Sequence, residues 1–94
     1  MDMIDVFAKQ YGKKYGETLK AFTRRVRHFG DALAVPTLIK LEIRPMDIKE
    51  HLEAKLIKYE PRMGYQGRYK GYSLTAAGIK AVYEKAAKNN MERN

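Results

Sequence analysis

A short basic and aromatic segment between residues 62 and 70 has the residue types best suited to binding a polyanion. It holds Arg62, Arg68 and Lys70, interleaved with Tyr65 and Tyr69. Arginine can enter a narrow minor groove of DNA, while lysine and tyrosine can contact phosphates. The alternative is a solvated hairpin that charge keeps soluble. Given the elements predicted around the segment, contact with nucleic acid is the favoured interpretation.

A second basic group lies on a helix predicted from about Glu17 to Phe29. Lys20, Arg24 and Arg27 are spaced three and four residues apart, so they share one helix face. Such a face can follow a phosphate backbone, and it can equally be an ordinary solvated surface. The sequence leaves both interpretations open.

Enzymatic chemistry finds little support in the sequence. The chain has two histidines, His28 and His51, and no cysteine, so a metal site is not expected. Asp47, Glu50 and Glu53 have near-helical spacing, but a solvated helix face explains them more simply than a catalytic carboxylate set. A Ser/His/Asp arrangement and a glycine-rich phosphate loop are both missing. We therefore expect a binding protein without a cofactor and not an enzyme.

Length and charge narrow the possible partners. A chain of 94 residues is expected to form one domain, residues 1–94. Its formal net charge is +8, distributed as +4 over residues 1–30, −1 over residues 31–60 and +5 over residues 61–94. A basic excess favours polyanions, chiefly nucleic acid. The sequence has no apolar run long enough to span a membrane and no secretory signal, so a cytoplasmic protein is expected.

Periodicity and turn residues predict the order of the elements. Apolar positions at helical spacing predict a short helix near the N-terminus and then the helix that Gly30 ends. A weak strand is predicted over residues 32–35. A helix-turn-helix is predicted over about residues 36–57, because Pro45 fits the first turn of a second helix. A hairpin over about residues 57–74 precedes a helix over about residues 75–90, capped by Thr75.

The same pattern predicts which side chains face the core. The helix-turn-helix and the helix before it are expected to bury one apolar stripe each. The residues predicted to face inward are Phe22, Val26, Leu38, Leu41, Ile48, Leu52 and Leu56.

Two phrases of this sequence resemble a known family. Residues 34–74 resemble the winged helix-turn-helix domains of bacterial and archaeal transcription regulators, of the multiple-antibiotic-resistance and arsenic-resistance types. The closing phrase, Tyr72-Ser73-Leu74-Thr75-Ala76-Ala77-Gly78, matches the family's tyrosine-x-leucine-threonine-x-x-glycine in full. The phrase before the wing departs from it, because Leu52-Glu53-Ala54-Lys55-Leu56-Ile57 lacks the family's glycine.

The resemblance implies an α+β fold, mainly helical, with a small antiparallel β-hairpin as the wing. It implies a transcriptional regulator that binds double-stranded DNA through the wing and the helix-turn-helix. The resemblance assigns contact with the DNA bases to the exposed face near the start of the second helix of the helix-turn-helix. Here that face offers Met46, Asp47, Lys49 and Glu50. Acids on this face repel phosphates, whereas the usual base-reading side chains are Arg, Lys, Asn, Gln and Ser.

Relatives of this type often dimerise through terminal helices, so the resemblance also implies a homodimer. The apolar stripes around Met3 and Phe7, and around Ile79, Val82 and Ala86, could form that interface or could be intramolecular core. Two other functions stay open. One is a winged helix that docks a protein through its acidic recognition face. The other is a sequence-neutral binder of chromatin or RNA.

Overall fold

The computed structural model describes residues 2–29, 32–63 and 65–92, and these form an α+β fold, as predicted. A short turn, Tyr65–Gly67, connects the two strands of the hairpin. Gly30, predicted to end the second helix, lies outside the described residues. The elements in chain order are α1 (Met3–Tyr11), α2 (Leu19–Phe29), β1 (Ala32–Ala34), α3 (Val35–Lys40), α4 (Pro45–Glu53), β2 (Ile57–Met63), β3 (Tyr69–Leu74) and α5 (Ala76–Glu92).

The helix boundaries follow from local capping. Helix α1 begins after Asp2, whose carboxylate accepts hydrogen bonds from the backbone N–H groups of Ile4 and Asp5 at 2.7 and 3.3 Å. Helix α4 begins at Pro45, as predicted. Thr75 caps α5, because its hydroxyl accepts a hydrogen bond from the Gly78 N–H at 3.0 Å. Helix α5 extends to Glu92 and so passes the predicted end near residue 90.

Helices α3 and α4 end in the same way, each with a residue in the left-handed conformation. Glu42 and Lys55 both have φ of 59°. After α4, the Lys55 N–H donates to the Leu52 carbonyl and the Leu56 N–H to the His51 carbonyl, both at 3.0 Å. This closure satisfies the free carbonyls at the helix end. It also ends α4 at Glu53, before the predicted end of the helix-turn-helix near residue 57.

The three strands form an antiparallel sheet in the order β1-β3-β2. The central strand β3 pairs Tyr72 with Leu33 on one side and with Tyr59 on the other. The register of β2 shifts between Glu60 and Met63, where Pro61 lies. Proline cannot donate to a ladder, so an edge strand suits it.

The core lies between α1, α2, α5 and one face of the sheet. Three predicted inward residues, Phe22, Val26 and Leu38, are buried, and Ile48 and Leu52 are half-buried against them. Leu56 is half-buried too. The prediction for Leu41 was wrong: it is 41% exposed, because α3 ends at Lys40 and Leu41 lies in the turn. The buried apolar residues are Met3, Phe7, Ala8, Phe22, Val26, Leu38, Ile43, Ile57, Leu74, Ile79, Val82 and Ala86.

The terminal helices use their apolar stripes inside the single chain. Met3 and Phe7 of α1 and Ile79, Val82 and Ala86 of α5 are all at most 2% exposed. An ion pair between Lys85 of α5 and Asp5 of α1, at 3.4 Å, also joins these two helices. Of the two alternatives for these stripes, the structure has the intramolecular core. Within the described ranges, no helix is long and apolar enough to cross a membrane.

Candidate nucleic-acid interface

The predicted basic segment covers the end of β2, the connection and the start of β3. Arg62, Arg68 and Lys70 are all exposed. The stem of Arg62 lies over Gly67, where an added Cβ would come within 3.2 Å of the Arg62 Cβ. The Arg68 guanidinium donates to the Gln66 side chain at 3.2 Å. We call these three cations the basic hairpin.

For the two tyrosines of the predicted segment, the structure describes the backbone position only. Tyr65 lies in the turn and Tyr69 begins β3, but their side chains lie outside what the structure describes. The predicted contact of Tyr65 with nucleic acid therefore stays a prediction.

The basic hairpin has no neutralising acid of its own. Residues 61–70 contain three Lys/Arg and no Asp or Glu. The nearest acid along β2, Glu60, accepts a hydrogen bond from the Ser73 hydroxyl at 3.0 Å and lies 3.7 Å from the Lys58 ammonium. Glu60 is thus already partnered. The hairpin keeps its positive charge at a projecting connection where an extended polyanion could reach it.

The three basic residues predicted to share one face of α2 differ in their contacts. Lys20 and Arg24 are exposed on α2. Arg27 donates from Nη1 to the Leu74 carbonyl at 2.9 Å, at the last residue of β3. Since Lys70 and Leu74 are four residues apart, about 13 Å of strand separates that carbonyl from the basic hairpin. Arg27 is therefore held at the end of β3 away from the basic hairpin.

Arg25, the neighbour of this face in the sequence, has a structural position instead. Its guanidinium bonds Glu17 through two atoms at 2.8 and 3.0 Å, and the carbonyls of Tyr11 and Gly12 at 2.9 and 2.7 Å. The side chains of Arg25 and Glu17 are only 16% and 9% exposed. The hydrogen bond from Arg25 holds the pKa of Glu17 below its ordinary value, against the opposing effect of burial. This pair ties the α1–α2 connection to α2.

The early face of α4 is almost neutral. Met46, Lys49 and Glu50 are exposed there, and Asp47 is half-buried. Two ion pairs reduce its free charge: Arg44 lies 3.7 Å from Asp47, and Lys49 lies 4.0 Å from Glu53. Both are surface pairs worth little in energy. They nevertheless keep Arg44 and Lys49 each within 4.0 Å of a carboxylate.

An apolar groove between α3 and α4 was not predicted from the sequence. It has a volume of about 480 Å³ and is lined by Leu38, Ile39, Glu42, Ile43, Arg44, Pro45, Ile48 and Tyr72. Two large apolar side chains project at this face, Ile39 at 71% and Met46 at 67% exposure. One sequence signal was present: Leu38, Ile39 and Leu41 cannot all face inward from one turn of helix.

His51 is buried rather than available to a ligand. Its Nδ1 lies 2.6 Å from the Asp47 carbonyl and its Nε2 lies 3.6 Å from the Asp2 carboxylate at the start of α1. His51 of α4 therefore contacts the start of the neighbouring helix α1. Across residues 2–29, 32–63 and 65–92, no group of three or more His, Cys, Asp and Glu side chains could hold a metal ion.

Comparison with models of known protein families, with curated proteins and with solved structures finds no match to this chain.

Proposed function

We propose that this protein is a winged helix-turn-helix that binds duplex DNA and acts as a transcriptional regulator. The basic hairpin is the wing, and α3 and α4 are the helix-turn-helix. Support comes from the order of the elements: two short helices, a strand, a basic connection, a second strand and a closing helix. Strand β1 joins the sheet beside β3, so the start of α3 is held close to the hairpin strands.

The observation that carries the proposal is the exposed charge of the wing. Arg62 at the end of β2, Arg68 in the connection and Lys70 at the start of β3 are all exposed, and residues 61–70 contain no acid, on a chain of net charge +8. Charge of this kind gives affinity for any phosphate backbone and falls with salt. Sequence preference would have to come from base contacts near the start of α4, where Met46 and Lys49 are exposed.

The test is a salt titration of binding to random duplex DNA. Replacing Arg62, Arg68 and Lys70 by alanine is expected to weaken binding, because three phosphate contacts disappear. The slope of log affinity against log salt is expected to fall by about 0.9 for each lost contact. The matched control replaces three exposed lysines of α1 and α5 by alanine, Lys9, Lys80 and Lys88, and removes the same charge. Equal slopes for the parent and the wing variant would refute the proposal.

A second candidate function is favoured by the apolar groove. A helix-turn-helix face that is close to neutral and exposes Ile39 and Met46 suits a protein partner better than a polyanion. In this alternative a protein partner binds at the groove between α3 and α4, while the wing contributes positive charge. The two candidates can hold together, because the groove and the wing are different surfaces.

A further inference from the structure

We infer that the connection between α1 and α2, together with the exposed face of α2, is a second nucleic-acid site, which binds unpaired single strands. Its aromatic residue is Tyr15 and its cations are Lys14, Lys20 and Arg24. We call these four residues the Tyr15 surface. A base of an unpaired strand stacks on the Tyr15 ring while the cations contact phosphates. The inference concerns a surface other than the wing and does not depend on duplex binding.

Tyr15 is a large aromatic side chain that the fold leaves entirely in water. Its side chain is fully exposed. The next most exposed of the described tyrosine side chains, Tyr59, is only 47% exposed and lies 5.7 Å from Tyr72 between ring centroids. The ring of Tyr15 therefore contributes no packing to the described fold, and both of its faces are open to a ligand.

The backbone around Tyr15 forms a defined turn. The Glu17 N–H donates to the Lys14 carbonyl at 3.0 Å, which places Tyr15 and Gly16 at the two central positions. Gly16 has φ of 73°, a left-handed conformation that suits glycine. The Lys14 N–H donates in turn to the Glu17 carboxylate at 3.2 Å. The turn thus presents Tyr15 at its tip.

The connection is also fastened to two helices. Side chains of α2 and α5 donate to backbone carbonyls on either side of the turn. These hydrogen bonds run from Arg25 to Gly12 at 2.7 Å, from Asn90 to Lys13 at 2.7 Å and from Tyr83 to Glu17 at 2.8 Å. Because folding already orders this backbone, a ligand that binds at the tip pays little further entropy to order it.

The charge around the turn is strongly positive. Residues 12–29 contain six Lys/Arg and one acid, Glu17. Glu17 lies 2.8 Å from the Arg25 guanidinium, so its charge is already compensated. Three other cations of this segment are exposed and make no ion pair with another described residue. They are Lys14, Lys20 and Arg24.

The spacing of these cations suits one short strand. Lys20 and Arg24 are four residues apart on α2, so they lie on one face with a rise of about 6 Å between them. Tyr15 precedes Lys20 by five residues, which limits the distance between their Cα atoms to about 18 Å. A strand of a few nucleotides can therefore contact the ring and the α2 cations together.

An exposed aromatic ring distinguishes an unpaired strand from a duplex. In a duplex the bases stack on one another, and the grooves offer a protein only their edges. An unpaired base offers its flat face, on which an aromatic side chain can stack, and every base has such a face. Single-stranded DNA and RNA share this chemistry. The Tyr15 surface combines the ring and the phosphate-binding cations that such strands require.

The test measures binding to two single strands of about 16 nucleotides, a thymidine and a uridine homopolymer, and to a duplex, by fluorescence anisotropy. Tyr15→Ala is expected to weaken single-strand binding at least about fivefold, because stacking is lost. Duplex affinity is expected to stay unchanged. Tyr15→Phe keeps the ring and is expected to bind like the parent.

The cations are tested by the salt dependence of single-strand binding. Lys20→Ala with Arg24→Ala is expected to reduce the slope of log affinity against log salt by about 1.4, since each contact to a single strand contributes about 0.7. The matched control is Lys40→Ala with Lys80→Ala, which removes the same charge from exposed positions of α3 and α5. An equal reduction in the control would overturn the assignment of the α2 cations to this site.

The outcomes for Tyr15 decide the inference. A parent that binds neither single strand overturns it, and so does Tyr15→Ala with unchanged single-strand affinity; the exposed ring would then suit a protein partner. Equal weakening on single strand and duplex, or a Tyr15→Phe variant as weak as Tyr15→Ala, overturns it as well. Binding that depends on the ring supports it, and the strand bound more tightly identifies DNA or RNA.

The same measurements separate this inference from the proposed function. Circular dichroism verifies that the variants are folded. A parent that binds single strands through Tyr15 but has no affinity for the duplex leaves the inference standing and removes the proposed function.

Discussion

At the scale of single residues, the most consequential side chain is that of Arg25. It lies between Arg24 and Arg27 in the sequence, yet it makes four hydrogen bonds to Glu17, Tyr11 and Gly12. Its guanidinium also lies 5.2 Å from the centre of the Phe22 ring. Removing one partner of this partly buried ion pair is costly, because the remaining charge is left uncompensated.

We predict that acid weakens the native state in part through Glu17. Because Arg25 depresses the pKa of Glu17 in the folded protein, the pair contributes its full stability above the unfolded pKa, about 4.3. That contribution is lost as the pH falls through the lower folded pKa. Glu17→Gln should therefore be less stable than the parent near pH 7, and the difference should shrink below about pH 4. Urea unfolding at a series of pH values measures it.

The control for this prediction is Glu84→Gln, which changes an exposed glutamate of α5. Its unfolding free energy should follow that of the parent at every pH. A difference between Glu17→Gln and the parent that is independent of pH would show that the carboxylate charge is not what stabilises the pair.

At the scale of elements, the junction between α4 and β2 bears on two glycines of the family phrases. One, Gly78, is present in this sequence, and the other is missing from the segment before the wing. An added Cβ on Gly78 would overlap the Leu56 carbonyl oxygen, which also accepts a hydrogen bond from Thr75 at 3.1 Å. The glycine that ends the closing phrase is therefore required by a close approach of backbone. Lys55, by contrast, holds a left-handed conformation, with φ of 59°, that glycine adopts without strain.

We predict that Lys55→Gly stabilises the protein. The left-handed conformation costs a residue with a Cβ about 1–2 kcal/mol, and the greater freedom of glycine in the unfolded chain offsets part of this. A net gain of about 0.5–1 kcal/mol is expected, measured by urea unfolding. The matched control is Ala54→Gly, one residue earlier, where φ is −77° and the substitution should destabilise. A loss of stability in Lys55→Gly would refute the assigned conformation.

Local chemistry made parts of the fold predictable from the sequence. Pro45 as the start of α4, Thr75 as the cap of α5 and the basic connection of the hairpin all follow from a few neighbouring residues. The burial of Arg25 was not predictable, because its partners Tyr11 and Gly12 lie 14 and 13 residues away. The exposure of Leu41 and the groove beside it depend on where α3 ends, and the unusual left-handed Glu42 determines that end.

At the scale of the whole molecule, the positive charge is divided between two surfaces. The basic hairpin lies at one end of the sheet. Arg27 is bound at the other end, and from there α2 leads back to Glu17, whose carbonyl accepts a hydrogen bond from Tyr83 of α5 at 2.8 Å. Lys20 and Arg24 are exposed on α2 itself.

We predict that a duplex contacts the wing without the α2 surface. The motivation is that Arg27, their neighbour on α2, is bound to the Leu74 carbonyl at the end of β3 away from the basic hairpin, so Arg27 does not extend the hairpin toward Lys20 and Arg24. Lys20→Ala with Arg24→Ala should leave the slope of log affinity against log salt unchanged for a short duplex. Contact by both residues would instead reduce that slope by about 1.8, since each phosphate contact contributes about 0.9. A reduction of that size would place α2 in the interface. The matched control is Lys80→Ala with Lys88→Ala, which removes the same charge from exposed positions of α5.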